Sequence, residues 1–377
     1  MVRFIHTSDW QLGMTRHFLS EEAQARFTQA RFDAIRAIGR IAVEERCEFV
    51  VVCGDVFESN QVDRRTVLRA LEALGTVSVP VYLLPGNHDP LDPGSVFHSS
   101  TFRECKSSNV HVIEGTTPIE ITPGVEVVGA PWTSKRPLRD LVASVSPELG
   151  PSHGTTRVFL AHGAIDILSP DRENPALIRL AGAEASLADG RIHYLALGDR
   201  HSLTPVGETG RIWYSGTPEP TDFDEGAPGH VLVVEVGPQG VTASKHQLGT
   251  WGFIKNRFDL ASDADLDALE AWLAELDNKE RTILRLSFRG TLTLRQHARL
   301  ESIIERAKDL FASVEIPDGE SDLAILPGDS DFAELELSGF ARTTTERLRH
   351  SAEGGGPTAR TARDALALLV RLAGGSS

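Results

Sequence analysis

The chain has 377 residues, with 38 Lys and Arg against 53 Asp and Glu, giving a formal charge of −15. Apolar residues make up 41% and charged residues 24%, which excludes a disordered or fibrous chain, and no run approaches the roughly 18 apolar residues of a membrane span. The acidic excess excludes a protein that coats nucleic acid by bulk charge.

At roughly 100–200 residues per domain, this length predicts two or three domains. Cys47, Cys53 and Cys105 form no CxxC pair and no even set, and the opening MVRFIHTSDW lacks a secretory apolar core. A reducing, cytoplasmic setting is expected. In chain order, VRFIH (2–6), FVVVC (49–53), VPVYLLP (79–85), VEVVGA (125–130), RVFLAH (157–162) and YLAL (194–197) read as buried strands. Ser20 to Glu45 reads as a helix capped by Ser20, and Val62 to Leu74 as a second. HVLVVEV (230–236) and VTASKHQL (241–248), split by Gly-Pro-Gln-Gly, read as a hairpin. Alternating strands and helices predict an α/β layered domain over 1–250, with ligands at the carboxyl ends of its strands.

A second unit, 251–317, reads β-α-β-α-β: a strand near Phe253 to Leu260, a helix from Asp263 to Leu276, ILRLSFRG (283–290), a helix from His297 to Leu310, and FASVEI (311–316). An acidic linker follows at 318–340, and a basic helical segment at 341–377 ends in ARDALALLVRL.

Five motifs sit where strands end: SDWQ (8–11), GDVFE (54–58), GNHD (86–89), AHG (161–163) and GDRH (198–201). An Asp after a strand is often only a cap or turn, and a His there is often only a hydrogen-bonded structural residue. Two ions gripping a phosphoryl group need a shared carboxylate with hard oxygen and imidazole ligands on either side. Five such motifs, in order and each after an apolar run, supply that inventory.

These residues resemble the calcineurin-like metallophosphoesterases. Within them, TSDWQLG, GDVFE, GNHDP and YSGTPEP resemble the SbcD-type DNA repair nucleases, including the meiotic recombination branch. The resemblance implies a layered β-sandwich core flanked by helices, a small α+β capping domain and a C-terminal helical tail. It also implies two divalent metal ions, Mn²⁺ first and Mg²⁺ second. One would be held by Asp9, Gln11, Asp55 and His201, and the other by Asp55, Asn87, His162 and Asp199. His88 would act as the acid, with Asp89 orienting it, on a DNA phosphodiester attacked by activated water. The chain departs from the pattern at Gln11 and Asp199, where the family has His. More oxygen and less nitrogen favours Mn²⁺ or Mg²⁺ over zinc. The implied activity is that of a DNA exonuclease subunit. The alternatives are a scaffold without turnover and a phosphodiesterase for small nucleotides.

Residues 281–311 carry seven bases against three acids, and Arg285 and Arg289 share one strand face. They read either as a DNA backbone contact or as a solvated surface. The tail stripe Ala365, Leu366, Leu368, Leu369 and Leu372 reads as a docking element or as self-packing. By resemblance, its partner would be an SbcC-type coiled-coil ATPase and the chain a homodimer. His6, His17, His98 and His153 are expected to be structural or surface residues. Trp10 and Trp132 are expected to wall the core or cleft, with Trp10 close enough to meet a nucleotide.

Overall fold

The computed structural model describes residues 1–325, 340–352, 358–359, 361–362 and 365–366. The chain divides into two compact units, Met1–Gly252 and Phe253–Ser377.

The first unit opens with β1 (Val2–Thr7), α1 (Glu21–Glu44), β2 (Phe49–Cys53), α2 (Arg64–Gly75), β3 (Val81–Leu84), α3 (Ser100–Cys105) and β4 (Val110–Val112). It continues with β5 (Ile119–Thr122), β6 (Val125–Gly129), α4 (Leu141–Val145), β7 (Thr156–His162), α5 (Leu180–Ala188) and β8 (Tyr194–Gly198). The strands β9 (Thr204–Val206), β10 (Ile212–Tyr214), β11 (His230–Gly237) and β12 (Gly240–Gln247) complete it. Two six-stranded sheets result, ordered β12-β11-β1-β2-β3-β4 and β5-β6-β7-β8-β10-β9. β1 to β4 run parallel, as do β6, β7, β8 and β10.

The continuous apolar strands follow from burial on both faces. Successive side chains point to opposite sides of a strand. Phe4 of β1 therefore enters a central layer with Phe49, Val51, Leu84, Val158, Leu160 and Tyr194, while Ile5 packs outward with Phe32, Ile35, Ile38 and Leu71. The Phe4 and Phe49 rings stack at 4.9 Å, and the Tyr194 ring meets Phe4 edge-on at 5.7 Å. On the other sheet, Phe159, Leu195 and Leu197 face Val142, Ala183 and Leu187 of α4 and α5. The layers run helix, sheet, sheet, helix. All parallel strands of one sheet end at one edge, which fixes where the motifs gather.

Ser20 caps α1, its side chain accepting from the Ala23 N–H, and Asp63 caps α2, so that helix starts at Arg64 rather than Val62. The short α3, α4, α5, β4, β5, β9 and β10 carry no long periodic signature and add to the expected elements.

The second unit holds β13 (Gly252–Leu260), α6 (Asp263–Glu275), β14 (Thr282–Leu292), α7 (Leu294–Leu310), β15 (Ser313–Glu315) and β16 (Asp322–Ile325), with α8 (Phe340–Ala352) in the tail. Both β15 and β16 pair parallel to β14. The expected linker is corrected at its start, because Asp322–Ile325 forms a strand against Arg289–Leu292. Residues 326–339 of that linker lie outside the described residues. Thr293 and Gln296 form a reciprocal capping box that starts α7 before His297. In the tail, Leu366 is wholly buried with Ala352, Ala362 and the half-buried Leu348. Part of the apolar stripe thus packs on its own chain, while Leu368, Leu369 and Leu372 lie outside the described residues. Among the described residues, no helix is long and apolar enough to cross a membrane.

Candidate metal centre

The turns after β1, β2 and β8 adopt backbone that L-residues avoid. Asp9, Gln11, Asp55 and Asp199 have φ of 53°, 45°, 54° and 96°. Each left-handed residue costs of order 1–3 kcal/mol and persists only where the surroundings fix it. Here they do. The Asp9, Gln11 and Leu12 N–H groups donate to the Gly54, Asp55 and Val56 carbonyls at 3.0, 2.9 and 2.9 Å, and the Thr217 hydroxyl donates to the Asp9 carbonyl at 2.9 Å.

The motif glycines are explained by close approach. A Cβ on Gly54 would stand 2.1 Å from His162 Nδ1, one on Gly86 2.2 Å from Asp55 Oδ1, and one on Gly198 1.8 Å from the Cys53 carbonyl oxygen. Only glycine lets these turns press against the ligand side chains.

Asp9, Asp55 and His162 bring one ligand atom each within 4.8 Å of one another, and all three are buried. His162 Nε2 lies 3.5 Å from Asp55 Oδ1, 3.8 Å from Asp199 Oδ1 and 2.7 Å from Asn87 Oδ1. Its Nδ1–H donates to the Cys53 carbonyl at 2.8 Å, so Nε2 is the nitrogen aimed inward. On the other side, His201 Nε2 lies 3.8 Å from Asp9 Oδ1 and 3.1 Å from Gln11 Nε2. The Asp199 N–H donates to both oxygens of Asp9 at 3.2 Å.

The charges are finely balanced. Burial lifts Asp9 to about 6, against the pull of His201 and His162. Burial would also raise Asp55, but His162 outweighs it and holds the carboxyl below its usual range. Burial disfavours a charged His162, yet the Asp55, Asp9 and Asp199 charges raise it well above the ordinary histidine value. His201 behaves alike: burial opposes its charge, but the Glu225 hydrogen bond and Asp9 lift it to about 9. Without an ion, protons on the two imidazoles offset the carboxylates.

A cation fits this donor set. Gln11 Oε1 is buried and has no hydrogen-bond partner among the described residues. The Asn87 carbonyl oxygen and the His162 nitrogen converge at a distance where two lone pairs need either a proton or a metal between them. Asp9, Gln11, Asp55 and His201 would hold one ion, and Asp55, Asn87, His162 and Asp199 the other. All seven expected ligands gather at this edge.

The expected roles of His88 and Asp89 divide differently. His88 N–H donates to Asp55 Oδ1 at 3.0 Å, its Nδ1–H donates to the Glu58 carbonyl at 2.8 Å, and its side chain is 37% exposed. Asp89 does not hold that ring, because it is fully buried and accepts instead from the Gly86 and Phe57 N–H groups at 2.8 and 3.0 Å. It fastens the GNHD turn to the GDVFE turn, while the Glu58 carbonyl orients His88. Burial and the Asp55 charge push Asp89 up to about 7.

Sequence reasoning missed Glu225 and Thr221. His201 Nδ1–H donates to Glu225 Oε1 at 3.0 Å and lies 2.7 Å from the Thr221 hydroxyl, which itself donates to Glu225. Nothing in the TDFDEG run distinguishes this acid from its neighbours. Trp10 is buried in the outer core and donates to the Thr7 hydroxyl, out of reach of a nucleotide. Trp132 donates to the His162 carbonyl at 2.7 Å. His6 is structural: burial drops it to about 3, between the Tyr194 hydroxyl and the Leu197 carbonyl.

In the second unit, Arg285 forms an ion pair with Glu315 at 3.1 Å, while Arg289 is exposed. Arg299, Arg306 and Lys308 also pair with nearby acids. Much of the local positive charge is therefore offset within that unit.

Over 187 residues, the chain is 24% identical to the DNA double-strand break repair protein Mre11 of Archaeoglobus fulgidus, covering 44% of this chain and 39% of that protein. Over 91 residues, it is 32% identical to the protein of the same name from Methanococcus maripaludis, covering 23% of each. The chain thus spans well under half the length of these relatives. Among solved structures, TT1561 of Thermus thermophilus matches 64% of this chain and 98% of its own, with a TM-score of 0.41 and 8% identity. The calcineurin-like phosphoesterase pattern matches residues 2–234, from the first strand of the layered unit into β11 and through every strand-end turn of the centre. The chain belongs to the calcineurin-like phosphoesterase family.

Proposed function

We propose that the chain is a metal-dependent DNA phosphodiesterase, an exonuclease subunit acting in double-strand break repair. The observation that carries this reading is the meeting of Asp9, Asp55 and His162 beside the unpartnered oxygen of Gln11. The names of the two Mre11 relatives support the substrate class. Two divalent ions, when bound, would polarise the phosphoryl oxygens and acidify a water. Mn²⁺ is the proposed ion, with Mg²⁺ second, because oxygen donors outnumber the two imidazoles.

The chain's own groups do the rest. Asp55 stands between the two ligand sets and is shared by them. Cys53 and Glu225 fix the tautomers of His162 and His201, so that each Nε2 points inward. With its Nδ1–H committed to Glu58, His88 presents Nε2 as the atom that passes a proton to the leaving oxygen. We read Arg289 as a backbone contact of the second unit, the tail as the site of an SbcC-type ATPase, and the assembly as a homodimer in a reducing compartment.

The test is metal analysis of the purified protein, with hydrolysis of a labelled oligonucleotide across Mn²⁺ concentrations. Manganese-dependent cleavage that Asp55→Asn abolishes is expected. Protein that binds DNA but neither takes up metal nor cleaves would favour a scaffold, the reading motivated by Gln11 and Asp199. Turnover of a small nitrophenyl ester without DNA affinity would favour a small nucleotide substrate.

A further inference from the structure

A cleft lined by apolar and charged side chains shares one wall residue, Trp132, with the surroundings of His162. The open cleft measures about 540 Å³, and its charged and polar lining is Lys135, Arg136, Asp171, Glu173 and Asn174. Its inner wall is tied to the catalytic turns. The Trp132 indole donates to the His162 carbonyl at 2.7 Å, and its ring lies edge-on to the His162 ring at 5.9 Å. The Trp132 N–H donates to the Pro85 carbonyl at 3.2 Å, and its carbonyl accepts from the Leu91 N–H at 2.8 Å. Pro85 and Leu91 flank the GNHD turn, so one residue pins both His162 and His88's loop to the cavity wall.

Lys135 and Arg136 are exposed and form no ion pair among the described residues, so both cations are available to a ligand. Pro137, Pro175 and the 84% exposed Leu138 offer apolar surface for a flat ring. The Asn174 side-chain oxygen Oδ1 accepts from the Ala176 N–H at 2.9 Å, which leaves the side-chain NH₂ for a ligand. Asp171 and Glu173 oppose a second phosphate.

We propose that this cavity is a subsite for one nucleotide of a single polynucleotide strand, next to the phosphodiester held at the metal centre. Lys135 and Arg136 take its phosphate, the proline and leucine surface takes its base, and the two acids exclude a polyphosphate. The proposal rests on the phosphodiesterase reading given above.

The test uses the full chain with Mn²⁺, comparing Lys135→Ala/Arg136→Ala with the charge-preserving Lys135→Arg/Arg136→Lys. On a single-stranded oligonucleotide, the alanine variant should raise KM by roughly tenfold with kcat unchanged. The salt slope of binding should fall by about 0.7, the single-strand value for one phosphate. The charge-preserving variant should restore both, and bis(p-nitrophenyl) phosphate, too small to span the cavity, should be turned over equally by all forms. An unchanged oligonucleotide KM, or equal losses on both substrates, would overturn the subsite. If wild-type protein hydrolyses neither substrate, the phosphodiesterase reading fails, and fluorescence anisotropy of the labelled strand in EDTA decides the subsite alone: weaker binding by the alanine variant supports it, and equal binding overturns it.

Discussion

The Glu225–His201 pair should make the metal-free fold depend on pH in a defined direction. His201 is raised from 6.5 to about 9, with burial opposed by the Glu225 hydrogen bond and then by Asp9. The pair therefore contributes stability that is complete below pH 6.5 and is lost as pH rises through 9. The span from 6.5 to about 9, at about 1.36 kcal/mol per pH unit, corresponds to about 3 kcal/mol. Glu225 is the largest of the groups raising His201, so Glu225→Gln should remove roughly half of this, about 1.5 kcal/mol. For a unit of this size, that is about 5 °C in Tm. The assay is thermal unfolding in EDTA at pH 6 and pH 10 for both proteins. The variant should melt lower at pH 6, and the gap should narrow by about 5 °C at pH 10. Parallel curves, with an equal gap at both pH values, would refute the electrostatic argument and leave Glu225 a mere packing residue.

Asp89→Ala should strand two buried N–H groups, those of Gly86 and Phe57, and cost about 2–4 kcal/mol in urea unfolding; a loss below about 1 kcal/mol would show that water replaces the carboxylate. Gly198→Ala puts a Cβ 1.8 Å from the Cys53 carbonyl oxygen and 2.8 Å from His162 Nδ1, so it should lower both stability and Mn²⁺ uptake by calorimetry. Wild-type stability with uptake intact would mean the turn can shift. Mn²⁺ at about 100 times its dissociation constant should stabilise the wild type by about 2.7 kcal/mol, raising its Tm, and leave Asp55→Asn unmoved. A Tm rise in both proteins would place the ion elsewhere.

Much of the first unit was legible because its strands are buried on both faces and end in turns of fixed chemistry. Val50 to Cys53 or Val158 to His162 leave few options for a chain that must bury apolar surface on two sides. The order of the motifs then put Asp9, Asp55, Asn87, His162 and His201 at one edge. What stayed hidden depends on distance in sequence. Glu225 meets His201 across 24 residues, and Trp132 meets His162 across 30, with no local pattern marking either contact. Asp89 was misjudged because adjacency to His88 suggested a pair, whereas the turn sends its carboxylate to the backbone of Phe57, 32 residues earlier. β16 escaped notice because Asp322–Ile325 sits among acids and takes its partners from β14 rather than from its own periodicity.

The left-handed ligand turns also bear on when the site comes into being during folding. Asp9 adopts its conformation through bonds to Gly54 and Thr217, partners 45 and 208 residues away along the chain. No early hairpin or isolated helix can reproduce that arrangement. The ligand geometry therefore rests on contacts between distant segments, and an ion that binds it stabilises the folded unit. A half-folded chain would carry every ligand residue without that geometry, so metal uptake would report on folding of the first unit.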